Sequence, residues 1–201
     1  MTRKTVDADA RERLLSASLH LFTTKGFAST SVREIVAAAG VTKPVLYYYF
    51  GNKEGIYLEL MATTFCRFQD IVSHISEAKG TASQKIVLFA TGIYDAFLEN
   101  TQVVRLIYSI FFGPPQGAPH FPHENYFNAI LEVVAGLIGE GIAKGEFAPV
   151  DVTACTWIVV SCINTVMEEQ LCQVPARIDR EGLVTMIGLI LKSMKVEEHH
   201  E

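Results

Sequence analysis

The hydrophobic residues of this chain recur at the three- and four-residue spacing of amphipathic α-helices, and alternating runs bounded by hairpin turns are essentially absent. Leu15, Leu19 and Phe22 show this spacing within a first helix predicted over 9–25. Further helices are predicted over 31–39, from just after Thr42 to Phe50, and over 53–76, 82–99, 102–112, 123–144, 151–171 and 180–195. The sequence therefore predicts an all-α fold.

Capping and helix-ending residues mark the bounds of the second and third predicted helices. Ser31 and Glu34 have the S-x-x-E spacing of a capping box, and Gly40 suits the residue that closes a helix. Thr42 is a candidate cap for the third helix, which ends before Gly51. Two short helices are therefore expected, joined by a tight turn that contains glycine.

This arrangement, with a supporting helix before it, is the layout of a helix-turn-helix DNA reader. On the third helix, Leu46 and Phe50 are predicted to point inward together, while Pro44, Val45 and Tyr48 point away. Apolar atoms on such an outward face can meet thymine methyl groups, and a tyrosine hydroxyl can donate to a base edge or a phosphate. The outward face is therefore a candidate surface for reading DNA.

Charge is distributed unevenly along the 201 residues, which carry a formal net charge of −5. Residues 1–53 hold eight Lys/Arg and four Asp/Glu, a net charge of +4, and residues 54–201 hold nine and eighteen, a net charge of −9. A basic N-terminal quarter favours a nucleic-acid or acidic partner at that end. We therefore predict a three-helix DNA-binding domain at 1–53 and a helical effector-binding and dimerisation domain at 54–201.

Composition argues against several other classes of protein. A hydrophobic fraction of 49% excludes a disordered chain. The four cysteines lie in apolar stretches without a CxxC pair, which favours buried thiols over a zinc site, and no cofactor or metal is expected. The longest uncharged apolar run, 154–167, is shorter than the roughly 20 residues of a membrane span, and residues 1–30 lack a signal-peptide pattern. A cytoplasmic protein without a membrane partner is expected.

Residues 40–54, with the sequence GVTKPVLYYYFGNKE, resemble the recognition segment of TetR-family transcriptional regulators. The pairs LF at 21–22 and GF at 26–27 and the run TSVREI at 30–35 match the family in order and spacing. The resemblance covers about 50 residues closely, and the remainder matches in being helical and of typical length. Val36 departs from the family, which often carries alanine there. Its extra methyl groups face the next helix, so the resemblance does not set the distance between the two helices.

The resemblance implies a set of DNA contacts from the second and third helices. Residues implied to face bases in the major groove are Lys43, Pro44, Val45 and Tyr48, with Arg33 reaching a base or a phosphate. Residues implied to contact phosphates are Thr30, Ser31, Thr42, Tyr47, Tyr49 and Lys53. Hydroxyls and lysines near helix N-termini suit that role. Core packing is the alternative for Tyr47 and Tyr49, and plain solvation is the alternative for Lys43.

A single helix-turn-helix buries too little surface for tight specific binding, so a homodimer on two half-sites about one helical turn apart is expected. The last two predicted helices carry apolar stripes suited to this contact, which is also how the family usually dimerises. The predicted interface residues are Trp157, Val160, Met167, Leu183, Ile187 and Leu191. The alternative is that these stripes face the core of the same chain.

The middle helices are rich in aromatic residues, and the resemblance implies a mostly apolar effector cavity among them. The predicted pocket residues are Phe68, His74, Phe89, Arg105, Tyr108, Phe112, Phe127 and Asn164. Plain core packing is the alternative for each aromatic residue. An effector in this cavity would shift the helix over 53–76 and change the separation of the two DNA-reading heads.

Together these features predict a ligand-responsive, dimeric DNA-binding transcriptional regulator that reads a palindromic operator and that a small apolar effector releases. Repression, rather than activation, rests on the resemblance alone. One alternative is a helical adaptor that anchors a protein partner through the tyrosines at 47–49. The other is a metal-dependent enzyme that uses His120, His123 and Glu124, but no nucleophile motif, phosphate loop or dinucleotide fingerprint is present. Catalysis is therefore not expected.

Overall fold

The computed structural model describes residues 3–113 and 117–196, with side chains from Asp9 onward apart from that of residue 64. These residues form nine α-helices, and no strand occurs among them. The helices are α1 (Arg3–Lys25), α2 (Val32–Ala39), α3 (Lys43–Phe50), α4 (Lys53–Glu77), α5 (Ala82–Glu99), α6 (Thr101–Phe111), α7 (His123–Ala143), α8 (Val152–Cys172) and α9 (Arg180–Met194). The predicted all-α fold is confirmed.

The predicted helix bounds agree with the observed ones to within one residue, except at the start of α1, which lies six residues earlier than predicted. The buried stripe of α1 also differs from the prediction. Leu14, Ser18 and Phe22 point into the core, whereas Leu15 and Leu19 lie on the flank and are half-buried. The four-residue spacing of the buried set is the helical repeat that places one face against a neighbour.

The chain divides into two compact units, here called the first and the second, which comprise residues 1–66 with 100–121 and residues 67–99 with 122–201 respectively. This division differs from the predicted boundary after residue 53. The first turns of α4 bury Ile56 and Tyr57 in the core of the first unit, and α6 adds Val103 and Leu106 to the same core. Apolar burial therefore assigns these segments to the first unit.

The first unit is built around α1, which packs against α2, α3 and α6. Its buried core residues are Leu14, Phe22, Phe27, Ile35, Val36, Ala39, Leu46, Ile56, Tyr57, Leu60, Met61, Val103 and Leu106. The aromatic rings of Phe22, Phe27 and Tyr57 pack together, and the ring centroids of Phe27 and Tyr57 lie 5.3 Å apart. This cluster fixes the loop between α1 and α2 against the start of α4.

The second unit packs α5, α7, α8 and α9 around one apolar core. Gly141 of α7 allows a close approach there, because a Cβ at this position would lie 2.2 Å from the ring of Phe147. The neighbouring carboxylate of Glu146 accepts hydrogen bonds from the backbone N–H groups of Ala82 (2.6 Å) and Ser83 (3.0 Å). The loop between α7 and α8 therefore satisfies the first N–H groups of α5.

Among the described helices, α7 has the length and apolar composition that a membrane span would need. Its side chains Ile130, Val134, Leu137 and Ile138 are buried in the core of the second unit. Core helices of this kind meet the same criteria of length and composition, so α7 is weak evidence for a membrane span.

The cysteines do not share one environment. Cys162 is buried, as the sequence predicts, and Cys155 is half-buried. Cys66 and Cys172 are exposed, contrary to the prediction, because they lie on outward faces of α4 and α8. No group of three or more His, Cys, Asp or Glu side chains suited to a metal ion occurs in the part of the chain that the structure describes.

Candidate nucleic-acid interface

The helix α2 begins at a complete capping box, as predicted. The Glu34 N–H donates to the Ser31 Oγ (3.3 Å), and the Ser31 N–H donates to Oε2 of Glu34 (2.9 Å). Hydrogen bonds from the Lys25 ammonium and then from Ser31 lower the pKa of the Glu34 carboxyl from 4.5 to about 2. The carboxylate therefore stays ionised at neutral pH. Its negative charge interacts favourably with the positive end of the α2 dipole.

Gly40 closes α2 and turns the chain toward α3. Its φ of +63° lies in the left-handed region, which glycine adopts without strain. A Cβ at Gly40 would lie 3.4 Å from Nη1 of Arg13, an ordinary contact, so the backbone conformation rather than the available space favours glycine. The larger Val36 is buried in the core of the first unit, and its carbonyl accepts the Val41 N–H at 3.0 Å. The departure from alanine is thus accommodated.

The short helix α3 has one buried face and one open face. Leu46 is fully buried, as predicted, and Phe50 is half-buried against the core of the first unit. Pro44 is exposed, and the side chain of Tyr48 is 76% exposed, one of the largest exposures of an apolar or aromatic residue in the described chain. Val45 is half-buried rather than fully outward. An exposed proline and tyrosine beside a buried leucine indicate a surface that meets a partner.

Seven of the eleven residues implied to contact DNA are exposed on α2, on α3 or at their N-terminal ends, namely Ser31, Arg33, Thr42, Lys43, Pro44, Tyr47 and Tyr48. Core packing is excluded for Tyr47, whose side chain is 51% exposed. Tyr49 is half-buried, and its ring lies edge-to-face with that of Tyr48 at 5.0 Å. Thr42 is the N-cap residue of α3 by position, but its hydroxyl makes no capping bond, contrary to prediction.

Two of the residues implied to contact phosphates have side chains that hydrogen-bond within the first unit, Thr30 and Lys53. Thr30 is only 2% exposed, and its hydroxyl donates to the Gly26 carbonyl at 2.8 Å. The Lys53 ammonium donates to the carbonyl oxygens of Phe27 (2.9 Å) and Thr30 (3.0 Å). Both side chains are engaged inside the first unit because the loop between α1 and α2 folds back beneath them.

Some of the positively charged side chains of the first unit form ion pairs and others do not. Arg11, Arg13 and Lys25 each pair with a carboxylate. Arg33 and Lys43 are exposed, and no ion pair joins either of them to another described residue. These two cations are therefore available to a polyanion at the open face.

Arg11 also braces α3, a role for which the sequence contains no local signal. Its guanidinium lies 5.7 Å from the ring centroid of Phe50 in α3 and pairs with Glu59 of α4. One side chain of α1 thereby contacts both of the helices that flank Gly51. The residues are far apart in sequence, so no spacing pattern could have revealed the contact.

Known bacterial regulators share this sequence pattern. The family model described as bacterial regulatory proteins, tetR family, matches residues 14–60, from α1 into α4. The N-terminal segment over residues 14–60 belongs to the TetR family of bacterial regulatory proteins. The match covers the capping box, the Gly40 turn and the open face of α3, so the family assignment and the observed geometry concern the same residues.

Similarity to known proteins extends beyond the helix-turn-helix. The Bacillus subtilis HTH-type transcriptional regulator YdgC is 32% identical over 107 residues, which are 51% of this chain and 55% of that protein. The fatty acid metabolism regulator protein of B. subtilis is 22% identical over 177 residues, 78% of this chain and 91% of that protein. The crystal structure of the TetR-family regulator PfmR from Thermus thermophilus shares the fold, with a TM-score of 0.67, 24% identity and coverage of 92% of this chain and 100% of that one.

The predicted effector-pocket residues are divided between the two units. Arg105, Tyr108 and Phe112 belong to the first unit, whereas the second contains Phe68, His74, Phe89, Phe127 and Asn164. Phe68 and Phe89 are buried with their rings edge-to-face at 6.4 Å. His74 and Phe112 are exposed, so the prediction that they line an enclosed cavity is wrong. α4 turns Ile75 inward and hence His74 outward, and Phe112 follows the last residue of α6.

A surface groove of about 480 Å³ lies between α5 and α9 of the second unit. Its lining residues are Ser83, Gln84, Val87, Leu88, Thr91, Arg180 and Val184, none of which the sequence indicated. Arg180 at its edge is held by the carboxylate of Asp95 at 2.9 Å.

Most of the predicted interface residues face the core of the same chain. Val160, Leu183, Ile187 and Leu191 are buried in the second unit, so their assignment to a dimer interface is wrong. Met167 is half-buried, and Trp157 is 50% exposed. The exposed faces of the same two helices carry Ala154, Trp157, Ile158, Ser161 and Thr165 on α8 and Thr185, Gly188, Leu189 and Lys192 on α9. We call these nine residues the α8–α9 outer face.

Proposed function

We propose that this TetR-family regulator is a homodimeric repressor that binds a palindromic operator through α3 and that a small apolar effector releases. The observation that carries the proposal is the open face of α3, where Lys43, Pro44 and Tyr48 are exposed while Leu46 anchors the helix in the core. A helix held by one face and open on the other can enter a major groove without unfolding the unit that carries it.

The α8–α9 outer face supports the proposed homodimer. Trp157, Ile158 and Leu189 are each about half exposed or more, which is unusual for large apolar side chains on neighbouring helices. Ala154 and Gly188 in the same face allow two helices to approach closely. A twofold pairing of this face would give each particle two copies of α3, the number that two half-sites about one helical turn apart require.

Long-chain acyl compounds are the effector class that we propose first. One relative is a fatty acid metabolism regulator protein that aligns over 177 residues of this chain. The second unit has an aromatic interior in which the ring of Phe68 lies 4.6 Å from that of Tyr126 and 6.4 Å from that of Phe89. Phe68 belongs to α4, which also supplies Ile56 and Tyr57 to the core of the first unit. Displacement of this continuous helix would carry an effector signal to the DNA-reading end. We also propose that the protein acts in the cytoplasm, where bacterial operator DNA lies.

The salt dependence of DNA binding separates this function from that of a protein-binding adaptor. We expect affinity for sheared genomic DNA to fall by about 10³-fold or more between 50 and 200 mM salt, because each neutralised phosphate releases counterions. The measurement is a fluorescence anisotropy titration at several salt concentrations. Binding that is negligible at every concentration would favour the adaptor, whose exposed tyrosines would serve a protein partner.

The same titration with a long-chain fatty acid or its coenzyme A ester tests the effector. We expect the apparent affinity for DNA to fall at least about fivefold at saturation, the lower end of typical allosteric coupling. An unchanged affinity with both compounds would exclude this class and leave the DNA-binding proposal standing.

A further inference from the structure

Lys53 occupies an electrostatically unfavourable position in its own helix. It is the first residue of α4, where the positive end of the helix dipole disfavours a cation. The side chain turns away from this end and reaches the loop between α1 and α2, which is 23 to 26 residues earlier in the chain. The contacts that it makes there must therefore more than offset the unfavourable placement.

The Lys53 ammonium makes three contacts with this loop. Two of its N–H groups reach the carbonyl oxygens of Phe27 at 2.9 Å and Thr30 at 3.0 Å. The nitrogen also lies 4.1 Å from the centroid of the Phe27 ring, within the range of a cation–π interaction. The Phe27 side chain is itself 3% exposed, so one end of the tie is fixed in the core. Charge-assisted hydrogen bonds of this kind are stronger than neutral ones.

The tie ends at the residue that precedes the N-cap of α2. Thr30 immediately precedes Ser31, the N-cap residue of α2, and the Thr30 N–H donates to the Phe27 carbonyl at 3.2 Å. Lys53 thus binds both ends of the turn that leads into α2, and it does so from the first residue of α4. A displacement of this end of α4 is transmitted directly to the entrance of α2.

We infer that Lys53 is a positioning residue, which fixes the entrance of α2 to the start of α4 and does not act as a phosphate ligand. The inference rests on the proposed DNA-binding function. Two of the three ammonium donors are already used, whereas the exposed Lys43 has no ion pair with another described residue. The two lysines therefore differ in how their loss affects DNA binding.

The test compares Lys53→Met with the matched control Lys43→Met on a duplex recovered from a random pool by the wild-type protein. For Lys53→Met we expect about tenfold weaker binding with an unchanged slope of log affinity against log salt. For Lys43→Met we expect the slope to shrink by about 0.9, the loss of one neutralised phosphate. Faster amide hydrogen exchange at 31–34 is expected only in Lys53→Met, because only this variant loses the tie.

Two results would overturn the inference. A slope reduced by about 0.9 in Lys53→Met would identify Lys53 as a phosphate ligand. Wild-type affinity in the fully folded variant would show that Lys53 does not contribute to DNA binding. Thermal melting checks that the protein is folded at the assay temperature. If Lys53→Met does not fold, Lys53→Arg replaces it. A phosphate ligand would then keep its affinity, whereas a positioning role predicts weaker binding, since a planar guanidinium cannot reproduce the compact tie.

Failure of the proposed function gives a different result. In that case the wild-type protein would recover no preferred duplex and would show no steep salt dependence, whatever residue occupies position 53. Specific binding by the wild type together with either of the two overturning results refutes the role of Lys53 alone.

Discussion

Replacement of Ile158 by glutamate is expected to convert the proposed homodimer into monomers and to lower operator affinity at least about a hundredfold, equivalent to about 2.7 kcal/mol. Ile158 lies on the α8–α9 outer face, where its side chain is 49% exposed beside the half-exposed Trp157. A carboxylate enclosed in a twofold interface without a partner costs several kcal/mol, and the symmetry places one in each copy. Monomers would then bind half-sites singly, without the gain from a linked second contact.

Leu88→Glu is the matched control for this change. Leu88 is 41% exposed on α5, so it resembles Ile158 in chemistry and exposure but lies outside the α8–α9 outer face. Analytical ultracentrifugation should show monomers for Ile158→Glu and dimers for Leu88→Glu, with operator affinity retained only in the second. A dimer that survives in Ile158→Glu would place the interface elsewhere.

Truncation of Leu46 to alanine should lower the free energy of unfolding by about 2–5 kcal/mol, because it leaves a cavity in a closely packed core. Leu46 is fully buried and belongs to the core of the first unit. It is the buried residue of α3, and the partly buried Val45, Tyr49 and Phe50 pack around it against the same core. Operator binding should therefore fall with stability. Urea denaturation followed by circular dichroism measures the change.

Tyr48→Ala, two positions farther along the same helix, should weaken operator binding while leaving the stability of the fold nearly unchanged. Its side chain is 76% exposed, so stability should change by no more than about 0.5 kcal/mol. Operator affinity should nevertheless fall about tenfold or more, since the tyrosine is expected to contact a base edge or a phosphate. Loss of stability without loss of binding in Tyr48→Ala would show that α3 presents a different face to DNA.

The helical framework could be predicted closely from the sequence because the signals that set it are local. Ser31 and Glu34 form the capping box that their spacing predicts, and Gly40 adopts the left-handed conformation that a helix end requires. The short α3 has a single buried residue, Leu46, so its inward face was unambiguous. Each of these features depends on residues within four positions of one another.

The interface residues could not be predicted in the same way. α8 and α9 carry apolar residues on more than one face, and periodicity does not say which face meets the core of the same chain. Val160 and Leu183 are buried in that core, whereas Ile158 and Leu189 are exposed. Only the positions of α5 and α7 decide between these faces. A second signal was present in the sequence, because the large apolar residues at 157 and 158 share one helical face with the small residues at 154 and 161.

The roles of Thr30 and Lys53 show the same limit at a finer scale. A hydroxyl and an ammonium are suitable phosphate ligands wherever they reach the surface, and the resemblance assigns both to DNA. The loop between α1 and α2 instead brings carbonyl oxygens of Gly26, Phe27 and Thr30 within their reach. Such contacts depend on the path of the loop, which no residue spacing encodes.

Selection of bound duplexes from a random DNA pool tests the central claim most directly, namely that a twofold pair of α3 helices reads DNA through its exposed face. We expect the recovered sequences to converge on an inverted repeat whose half-sites lie about one helical turn, or a whole multiple of it, apart. Recovery of no preferred sequence, or of a single half-site without a symmetric mate, would contradict the account.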